Sequence, residues 1–272
     1  MEIPLYQVDA FTDRPFAGNP AAVCPLDAWL PDATLQAIAA ENNLSETAFF
    51  VPEGEDYVLR WFTPTTEVDL CGHATLASAF VVLEELTPGA GEVRFHSPRS
   101  GPLTVARDGA YLSMDFPSRP PNPVEARPEV AAALGHPDRA APIGMAANAD
   151  TIVVEYARQA DVAALRPDFA AVLALDRYVI ATAAGSAPID FVSRFFAPNA
   201  GVDEDPVTGS AHCVLVPYWA ERVGAERVGA SLRARQISAR GGDLWCALRG
   251  ARVQLKGQAV LVLRGQLVLP DG

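Results

Sequence analysis

Residues 60–75 read RWFTPTTEVDLCGHAT, and residues 194–211 read RFFAPNAGVDEDPVTGSA. Over their first ten positions the two stretches share five residues at a constant offset of 134, close to half of the 272-residue chain. Each stretch runs through a glycine into an apolar, helix-like segment, although the second has three extra residues before its glycine. The repeat predicts a duplication, with two similar half-domains that each place a glycine turn at the start of a buried helix.

Short strand-like segments broken by glycine and proline surround both copies of the repeat, and few segments have helical periodicity. We expect a helix at 32–42, with Asp32 as its N-cap, and buried helices in the apolar segments 74–86 and 211–223. Many short strands with a few isolated helices are typical of an α+β fold and not of a doubly wound parallel sheet.

The best candidate for a linker is the segment 117–123, because it contains four prolines. We therefore expect one half-domain at 1–117 and a second at 124–262. Turn-forming residues are also dense in 12–20, so a turn is expected there.

The chain is acidic, with 33 Asp and Glu residues against 21 Lys and Arg residues and a formal net charge of −12. An acidic chain without a basic cluster repels a phosphate backbone, so we expect no nucleic-acid partner. The longest apolar run, 74–83, is far shorter than the ~20 residues that span a bilayer, so no membrane partner is expected either. Half of the residues are hydrophobic, which is enough to bury a core.

The first ten residues, MEIPLYQVDA, contain neither the basic nor the apolar region of a signal peptide. The four cysteines are scattered and form no CxxC motif. Together these features predict a cytoplasmic protein with reduced thiols.

Sequence motifs for cofactors and metals are not present. The sequence contains no GxGxxG, P-loop or HExxH, and its four histidines show no metal-ligand spacing. Lys256 is the only lysine, and no motif supports its use in a Schiff base. We therefore expect an activity that requires neither a cofactor nor a metal.

The two glycine turns are candidate sites for an anion. The first N–H groups of a helix lack partners within the helix and carry the positive end of its dipole. Gly72 and Gly209 allow a ligand to approach that backbone closely, so each turn could bind a carboxylate. The alternative is that both glycines only shape tight strand-to-helix turns, and the matched pair favours the binding role.

Three ionisable side chains are candidates for acid/base chemistry. Glu46 precedes the apolar run 48–51, and partial burial there suits a general acid/base, although a solvated loop glutamate is the simpler alternative. His73 lies at a helix N-terminus, where we expect its neutral form to act as a hydrogen-bond donor or proton relay. Asp205 precedes the second glycine, where capping alone could explain it, and His212 is expected to serve packing.

Cys71 is a separate candidate, because a thiol before a helix N-terminus can have a lowered pKa. Cofactor-free racemases and epimerases use two such thiols that face each other. The second glycine turn has no cysteine before Gly209, and Cys213 lies inside the helix that follows. A two-thiol mechanism therefore lacks its second half.

Four sets of motifs, in this order along the chain, resemble those of the PhzF-like proteins, the phenazine-biosynthesis-type isomerases related in fold to diaminopimelate epimerase. They extend from residue 8 to residue 212 and are Val8-Asp9-Ala10-Phe11 with Phe16-Ala17-Gly18-Asn19-Pro20; Asn43-Leu44-Ser45-Glu46-Thr47-Ala48-Phe49; Phe62-Thr63-Pro64 with Glu67-Val68-Asp69-Leu70-Cys71-Gly72-His73-Ala74-Thr75; and Asp205-Pro206-Val207-Thr208-Gly209-Ser210-Ala211-His212.

The resemblance implies an α+β fold of two pseudo-symmetric half-domains, each a curved antiparallel sheet or half-barrel around a central helix. The central helices would be those that follow Gly72 and Gly209. In the family the last strand returns to the first half-domain, so we expect 263–272 to belong there. The family often forms homodimers, which makes a homodimer the expected assembly.

The resemblance also implies a mechanism, in which a glutamate removes a proton from one carbon of a small carboxylate substrate and returns it to another. That glutamate corresponds to Glu46, and it ranks above Cys71. The other residues that the resemblance assigns to catalysis are His73 and Asp205. Those that it assigns to substrate binding are Ser45, Gly72, Thr208, Gly209 and Ser210.

Three functions follow as hypotheses. The first is a cofactor-independent isomerase that performs an allylic hydrogen shift on a small carboxylate. The second keeps the fold but uses Cys71 in a racemase or epimerase reaction. The third is a ligand-binding member of the family without catalytic activity.

Overall fold

A computed structural model describes residues 1–138, 140–223 and 231–270. Within these ranges the chain forms eighteen strands and six α-helices. The strands are β1 (Glu2–Ala10), β2 (Asn19–Pro25), β3 (Glu46–Glu53), β4 (Asp56–Phe62), β5 (Glu67–Val68), β6 (Glu92–Ser97), β7 (Gly101–Asp108), β8 (Tyr111–Pro117), β9 (Asn122–Pro123), β10 (Gly144–Ala147), β11 (Thr151–Glu155), β12 (Tyr178–Ala184), β13 (Phe191–Ala197), β14 (Val202–Asp205), β15 (Leu232–Gln236), β16 (Gly242–Arg249), β17 (Arg252–Gly257) and β18 (Ala259–Val268). The helices are α1 (Asp32–Asn42), α2 (Gly72–Phe80), α3 (Pro128–Leu134), α4 (Gln159–Ala164), α5 (Phe169–Leu173) and α6 (Gly209–Ala220).

The chain divides into two compact units, the first comprising 1–115 with 256–272 and the second comprising 116–255. In the first unit β18 pairs antiparallel with β1 over its whole length. Residues 271 and 272 of the segment expected to return lie outside the described residues. The proline-rich segment is hydrogen-bonded within the second unit, because Ser118 and Arg119 donate their N–H groups to the carbonyls of Ala251 and Cys213.

The first unit is a mixed sheet in which antiparallel pairs dominate. β1 pairs antiparallel with β2, β2 pairs parallel with β3, and β3 pairs antiparallel with β4. β4 then pairs antiparallel with β5 and parallel with β6, and β6 and β7 continue as antiparallel pairs into β8.

The second unit repeats this order of pairing. β10 pairs antiparallel with β11, β11 pairs parallel with β12, and β12 pairs antiparallel with β13. β13 pairs antiparallel with β14 and parallel with β15, and β15 pairs antiparallel with β16. The duplication read from the sequence is therefore a duplication of strand topology.

The registers of the two units also agree, which defines equivalent positions. Phe62 of β4 lies opposite the second residue of β3, and Phe196 of β13 lies opposite the second residue of β12. Glu46 and Tyr178, the first residues of β3 and β12, are therefore equivalent.

An arginine–glutamate ion pair is repeated in both units. Arg60 of β4 donates from Nε and Nη2 to the carboxylate of Glu67, at 2.7 and 2.9 Å. Arg194 of β13 makes the same two contacts with Glu204, both at 2.7 Å. Bidentate pairs of this kind are among the stronger polar contacts in proteins, and here each joins neighbouring strands next to a glycine turn.

The helices α2 and α6 are each the central helix of a unit. Seven of the nine residues of α2 are buried, and so are ten of the twelve residues of α6. A helix that is apolar on all sides has to be enclosed by other elements. Accordingly α2 packs against β1, β2 and β3, and it continues as a π-helical turn at Val81–Leu86.

The two helices also start alike. Gly72 and Gly209 are their first residues, and neither helix has a side-chain cap. One turn later, Thr75 Oγ1 donates to the carbonyl of Cys71 at 2.6 Å, and His212 Nδ1 meets the carbonyl of Thr208 at 2.7 Å.

Two details differ from the sequence-based expectations. Helix α1 has the expected bounds, but Pro31 is its N-cap and the carboxylate of Asp32 accepts a hydrogen bond from Arg60 at 2.9 Å instead. The turn expected at 12–20 ends earlier, because Asn19 already begins strand β2. Among the described residues no helix is long and apolar enough to cross a membrane.

Candidate active site

Glu46 and His73 are brought together by two neighbouring elements of the first unit. Glu46 is the first residue of β3 and pairs in register with Ala21 of the parallel strand β2. His73 lies in the first turn of α2, which packs against both of these strands. The residues are 27 positions apart in sequence, and the crossing of helix and strand makes them neighbours.

Their polar atoms are close but not hydrogen-bonded. His73 Nε2 lies 3.1 Å from Glu46 Oε2, with 4% and 16% of the two side chains exposed. Both atoms are buried, and their contact is an ion pair when the imidazole is protonated, although its angles fall short of an aligned hydrogen bond. A carboxylate and an imidazole in buried contact are groups that can carry out acid/base chemistry.

The opposite nitrogen of the imidazole has two neighbours. The side-chain amide nitrogen of Asn19 lies 3.0 Å from His73 Nδ1, and Cys71 Sγ lies 3.4 Å from the same atom. Asn19 is fully buried and Cys71 is 6% exposed. The ring is thus held between Glu46 on one side and an amide and a thiol on the other.

The protonation of His73 differs from the sequence-based expectation. Burial lowers its pKa, but the negative charges that Cys71 and Glu46 can carry raise it more, so the pKa of His73 lies well above 6.5. This direction is opposite to the neutral form expected from the helix N-terminus, because negative charge beside the ring favours its protonated form.

Cys71 itself is a thiol at neutral pH. Burial, with a further contribution from the charge of Glu46, raises its pKa from 9.0 to about 11. This direction is opposite to the lowered pKa that the helix N-terminus suggests, because burial of the thiol outweighs the dipole. The Glu46 carboxylate is then the group that favours the protonated imidazole.

Within the part of the chain that the structure describes, the same three side chains are the candidate group for holding a metal. Glu46, Cys71 and His73 each offer a ligand atom, and these atoms lie within 4.8 Å of one another. Carboxylate, thiolate and imidazole are all ligands of zinc-like ions. His73, however, meets its two neighbours through opposite ring nitrogens, which suits proton transfer better than shared coordination of one ion.

In the second unit, the predicted residues form a turn before α6. Asp205 ends β14, and its Oδ2 accepts a hydrogen bond from Thr208 Oγ1 at 2.5 Å. Thr208 is the N-cap position of α6, but its side chain does not cap the helix. Ser210, in the first turn, is exposed, and Gly209 is buried. The carboxylate of Asp205 thus bonds the hydroxyl of Thr208 at the start of α6.

The family-model comparison identifies the chain. Residues 8–265 match the family model PhzC-PhzF, described as phenazine biosynthesis-like protein. The chain belongs to the PhzF family. A protein of Pseudomonas aeruginosa named an uncharacterized isomerase is 52% identical over 99% of this chain and 100% of its own length.

Solved structures agree with this membership in the PhzF family. A PhzF-family protein from Enterococcus faecalis is 45% identical and superposes with a TM-score of 0.92, over 99% of this chain and 100% of that one. A hydroxyproline epimerase from Agrobacterium vitis covers 99% and 93% of the two chains with a TM-score of 0.59 at 13% identity, a likeness of fold alone. The expected α+β fold of the epimerase type is confirmed.

In this PhzF-family chain the structure brings Glu46, Gly72 and His73 together in the first unit, with Ser45 half-buried in the turn directly before Glu46. Cys71, the chemical alternative to Glu46, has its thiol against His73.

Two buried amides were missed by the sequence analysis. Asn19 contacts His73, as described above. Gln236 is fully buried in β15, and its side chain accepts the N–H of Thr208 at 2.9 Å and donates to the carbonyl of Asp205 at 2.6 Å. Asn19 lies in a quoted motif, which is a signal for it, whereas no sequence pattern marks Gln236.

Proposed function

We propose that this PhzF-family protein is a cofactor-independent isomerase that moves a proton between two carbons of a small carboxylate substrate. The observation that carries the proposal is the buried contact of 3.1 Å between Glu46 Oε2 and His73 Nε2. The class of reaction is supported by relatives that are themselves named isomerases.

In the proposed reaction, Glu46 accepts a proton from a carbon of the substrate. The electron pair of the broken C–H bond forms a double bond to the adjoining carbon, and the electron pair of the original double bond moves to the far carbon. The proton then returns from Glu46 to the far carbon, so that atoms and electrons balance without an oxidant or a reductant. A positioned carboxylate of this kind contributes typically 10²- to 10⁴-fold to the rate.

His73 supports this step from the side of the helix. Because its pKa is raised, the ring carries positive charge beside Glu46 and stabilises negative charge that develops on the substrate.

The helix starts are the proposed binding points for carboxylate oxygens. Helix α2 begins at Gly72 without a side-chain cap. Its first N–H groups lie at the positive end of the helix dipole and are available to an anion. The turn at the start of α6 offers the same donors at Gly209 and Ser210, and Thr208 and Asp205 are bonded to each other beside them. These groups bind an anion without lysine or arginine, which is compatible with a net charge of −12.

A thiol mechanism is less favoured. With a pKa of about 11, Cys71 is protonated at neutral pH and is a weak base for a carbon acid. The equivalent position of the second unit holds Thr208, so a second thiol is not present there.

The test is a deuterium-exchange screen. The protein is incubated in D₂O with small cyclic acids and amino acids, and mass spectrometry measures deuterium at carbon. Proton abstraction labels a substrate even when net conversion is unfavourable. We expect at least one acid to be labelled, and Glu46→Gln to reduce the rate by about 100-fold or more.

Glu53→Gln is the matched control, because Glu53 ends the same strand and is exposed. It should label the acid at the wild-type rate. Wild-type labelling by Glu46→Gln would contradict the role of Glu46. Binding of an acid without any labelling would support the third hypothesis, a ligand-binding protein without catalysis.

A further inference from the structure

We propose that Asn19 is a positioning residue, which holds the ring of His73 with Nε2 towards Glu46. The kinetic consequence rests on the proposed isomerase function, whereas the orientation of the ring can be measured without any substrate. Asn19 belongs to the segment 16–20, a motif to which the sequence analysis assigned no role.

The backbone places Asn19 with little freedom. The preceding residue, Gly18, has φ = +65°, and a Cβ atom there would lie 2.8 Å from Thr12 Cγ2 and would collide with the carbonyl of Ala10. Only glycine fits such a position, and it brings the chain tightly against β1. Asn19 then pairs with Ala10 in the β1–β2 ladder.

Three elements therefore contribute one polar group each. Asn19 begins β2, Glu46 begins the parallel neighbour β3, and His73 lies in the first turn of α2, which packs on both strands. Asn19 lies two residues before Ala21, which is the register partner of Glu46. The side chain of Asn19 contacts Nδ1 of the imidazole, whereas Glu46 lies beside Nε2 at the opposite end of the ring.

The contact sets the tautomer of the ring. In the neutral ring, the amide nitrogen of Asn19 can only donate, so its contact of 3.0 Å requires His73 Nδ1 to accept, whereas in the protonated ring both nitrogens donate and Asn19 has to present its oxygen. The neutral ring then carries its proton on Nε2, the atom 3.1 Å from Glu46 Oε2. The thiol of Cys71, 3.4 Å from Nδ1, is a weaker donor to the same atom.

A neutral amide suits this position because it orients the ring without competing for the proton. A carboxylate there would attract the proton to Nδ1 and away from Glu46. An amide can also turn to present its oxygen when the ring is doubly protonated. Asn19 can therefore keep its contact in both protonation states of His73.

The test is ¹⁵N NMR of protein labelled at histidine, recorded across a pH titration. The chain has four histidines, and comparison with His73→Gln assigns the signals of His73. In the neutral ring of the wild type, Nδ1 should have the shift of an unprotonated nitrogen. In Asn19→Ala the two nitrogens should move towards a mixture of tautomers. In Asn19→Asp, which keeps the shape, the proton should move to Nδ1.

Kinetics supply the second readout, using an acid that the wild type labels. Asn19→Ala and Asn19→Asp should both lower kcat for exchange by between about 10- and 100-fold, with little change in KM, because a misplaced catalytic group costs rate. Asn42→Ala is the control, since Asn42 donates to Thr47 at 3.1 Å beside Glu46 and does not contact His73. It should leave the His73 signals and kcat unchanged.

The outcomes are distinguishable. Unchanged His73 shifts and titration in Asn19→Ala and Asn19→Asp would overturn the proposal, and so would changed shifts with wild-type kcat. If the wild type labels no acid, the proposed isomerase function fails, and the NMR measurement still decides whether Asn19 orients the ring.

Discussion

The protonation of Cys71 gives the sharpest test of the electrostatics around His73. The pKa of Cys71 is raised from the ordinary value of 9.0 to about 11. Each unit is a factor of ten in the fraction of thiolate, so below pH 9 Cys71 should present about 100-fold less thiolate than a free cysteine. Iodoacetamide reacts with the thiolate, and peptide mass spectrometry resolves Cys71 from the other three cysteines.

The expected result is the shape of the pH profile, which separates the pKa from steric access. Alkylation of Cys71 in the folded protein should rise about tenfold per pH unit up to pH 10 without a plateau. Burial of the thiol lowers the rate at every pH but does not change this slope. In urea-unfolded protein the rate should level off near pH 9.

Two variants test the cause of the shift. Glu46→Gln removes a charge that raises the pKa, so alkylation of Cys71 at pH 9 should become faster. Glu53→Gln, at the exposed end of the same strand, should leave the profile unchanged. A plateau at or below pH 8 in the wild type would refute the reasoning and would strengthen the hypothesis of a cysteine-assisted racemase.

Two further predictions concern stability, measured by urea unfolding. Arg194→Leu leaves the largely buried carboxylate of Glu204 unpaired and should lower the free energy of unfolding by about 3 kcal/mol. The control is Arg94→Leu, which removes a half-exposed ion pair and should not shift the urea midpoint measurably. Equal effects of the two substitutions would contradict the stabilising role of the Arg194–Glu204 pair. Burial lowers the pKa of His212 from 6.5 to about 4, so the unfolded chain binds a proton there at a higher pH than the folded protein does. The free energy of unfolding is therefore unaffected by His212 above pH 6.5 and falls by about 3 kcal/mol as the pH falls from 6.5 towards 4. His212→Thr, which copies the equivalent Thr75, should make stability less dependent on pH in that window, and an unchanged dependence would show that other groups control acid unfolding.

The duplication and the helices could be predicted because their signals are local. The five shared residues and the two glycines lie within short stretches, and the all-apolar segments after them could only be buried helices. The cap of α1 was wrong because Asp32 is drawn to Arg60, which is 28 residues away and close only in the folded chain.

The candidate site was predictable in its parts and not in its contacts. Glu46 and His73 were found through the motifs that carry the family resemblance. Their separation of 3.1 Å depends on how α2 crosses β3, and the amide of Asn19 lies 54 residues from His73 in sequence. The protonation of His73 could not be predicted either, because the carboxylate that faces its ring belongs to Glu46, which is 27 residues away in sequence.

The repeated topology gives this protein an internal reference. Position by position, the same scaffold carries Glu46 in one copy and Tyr178 in the other, and likewise His73 and Ser210. Properties that the two copies share are due to the backbone, and properties that differ are due to these side chains. A substitution in one copy forces no change in its counterpart, so a duplicated chain can keep proton chemistry at one set of positions while evolution alters the other.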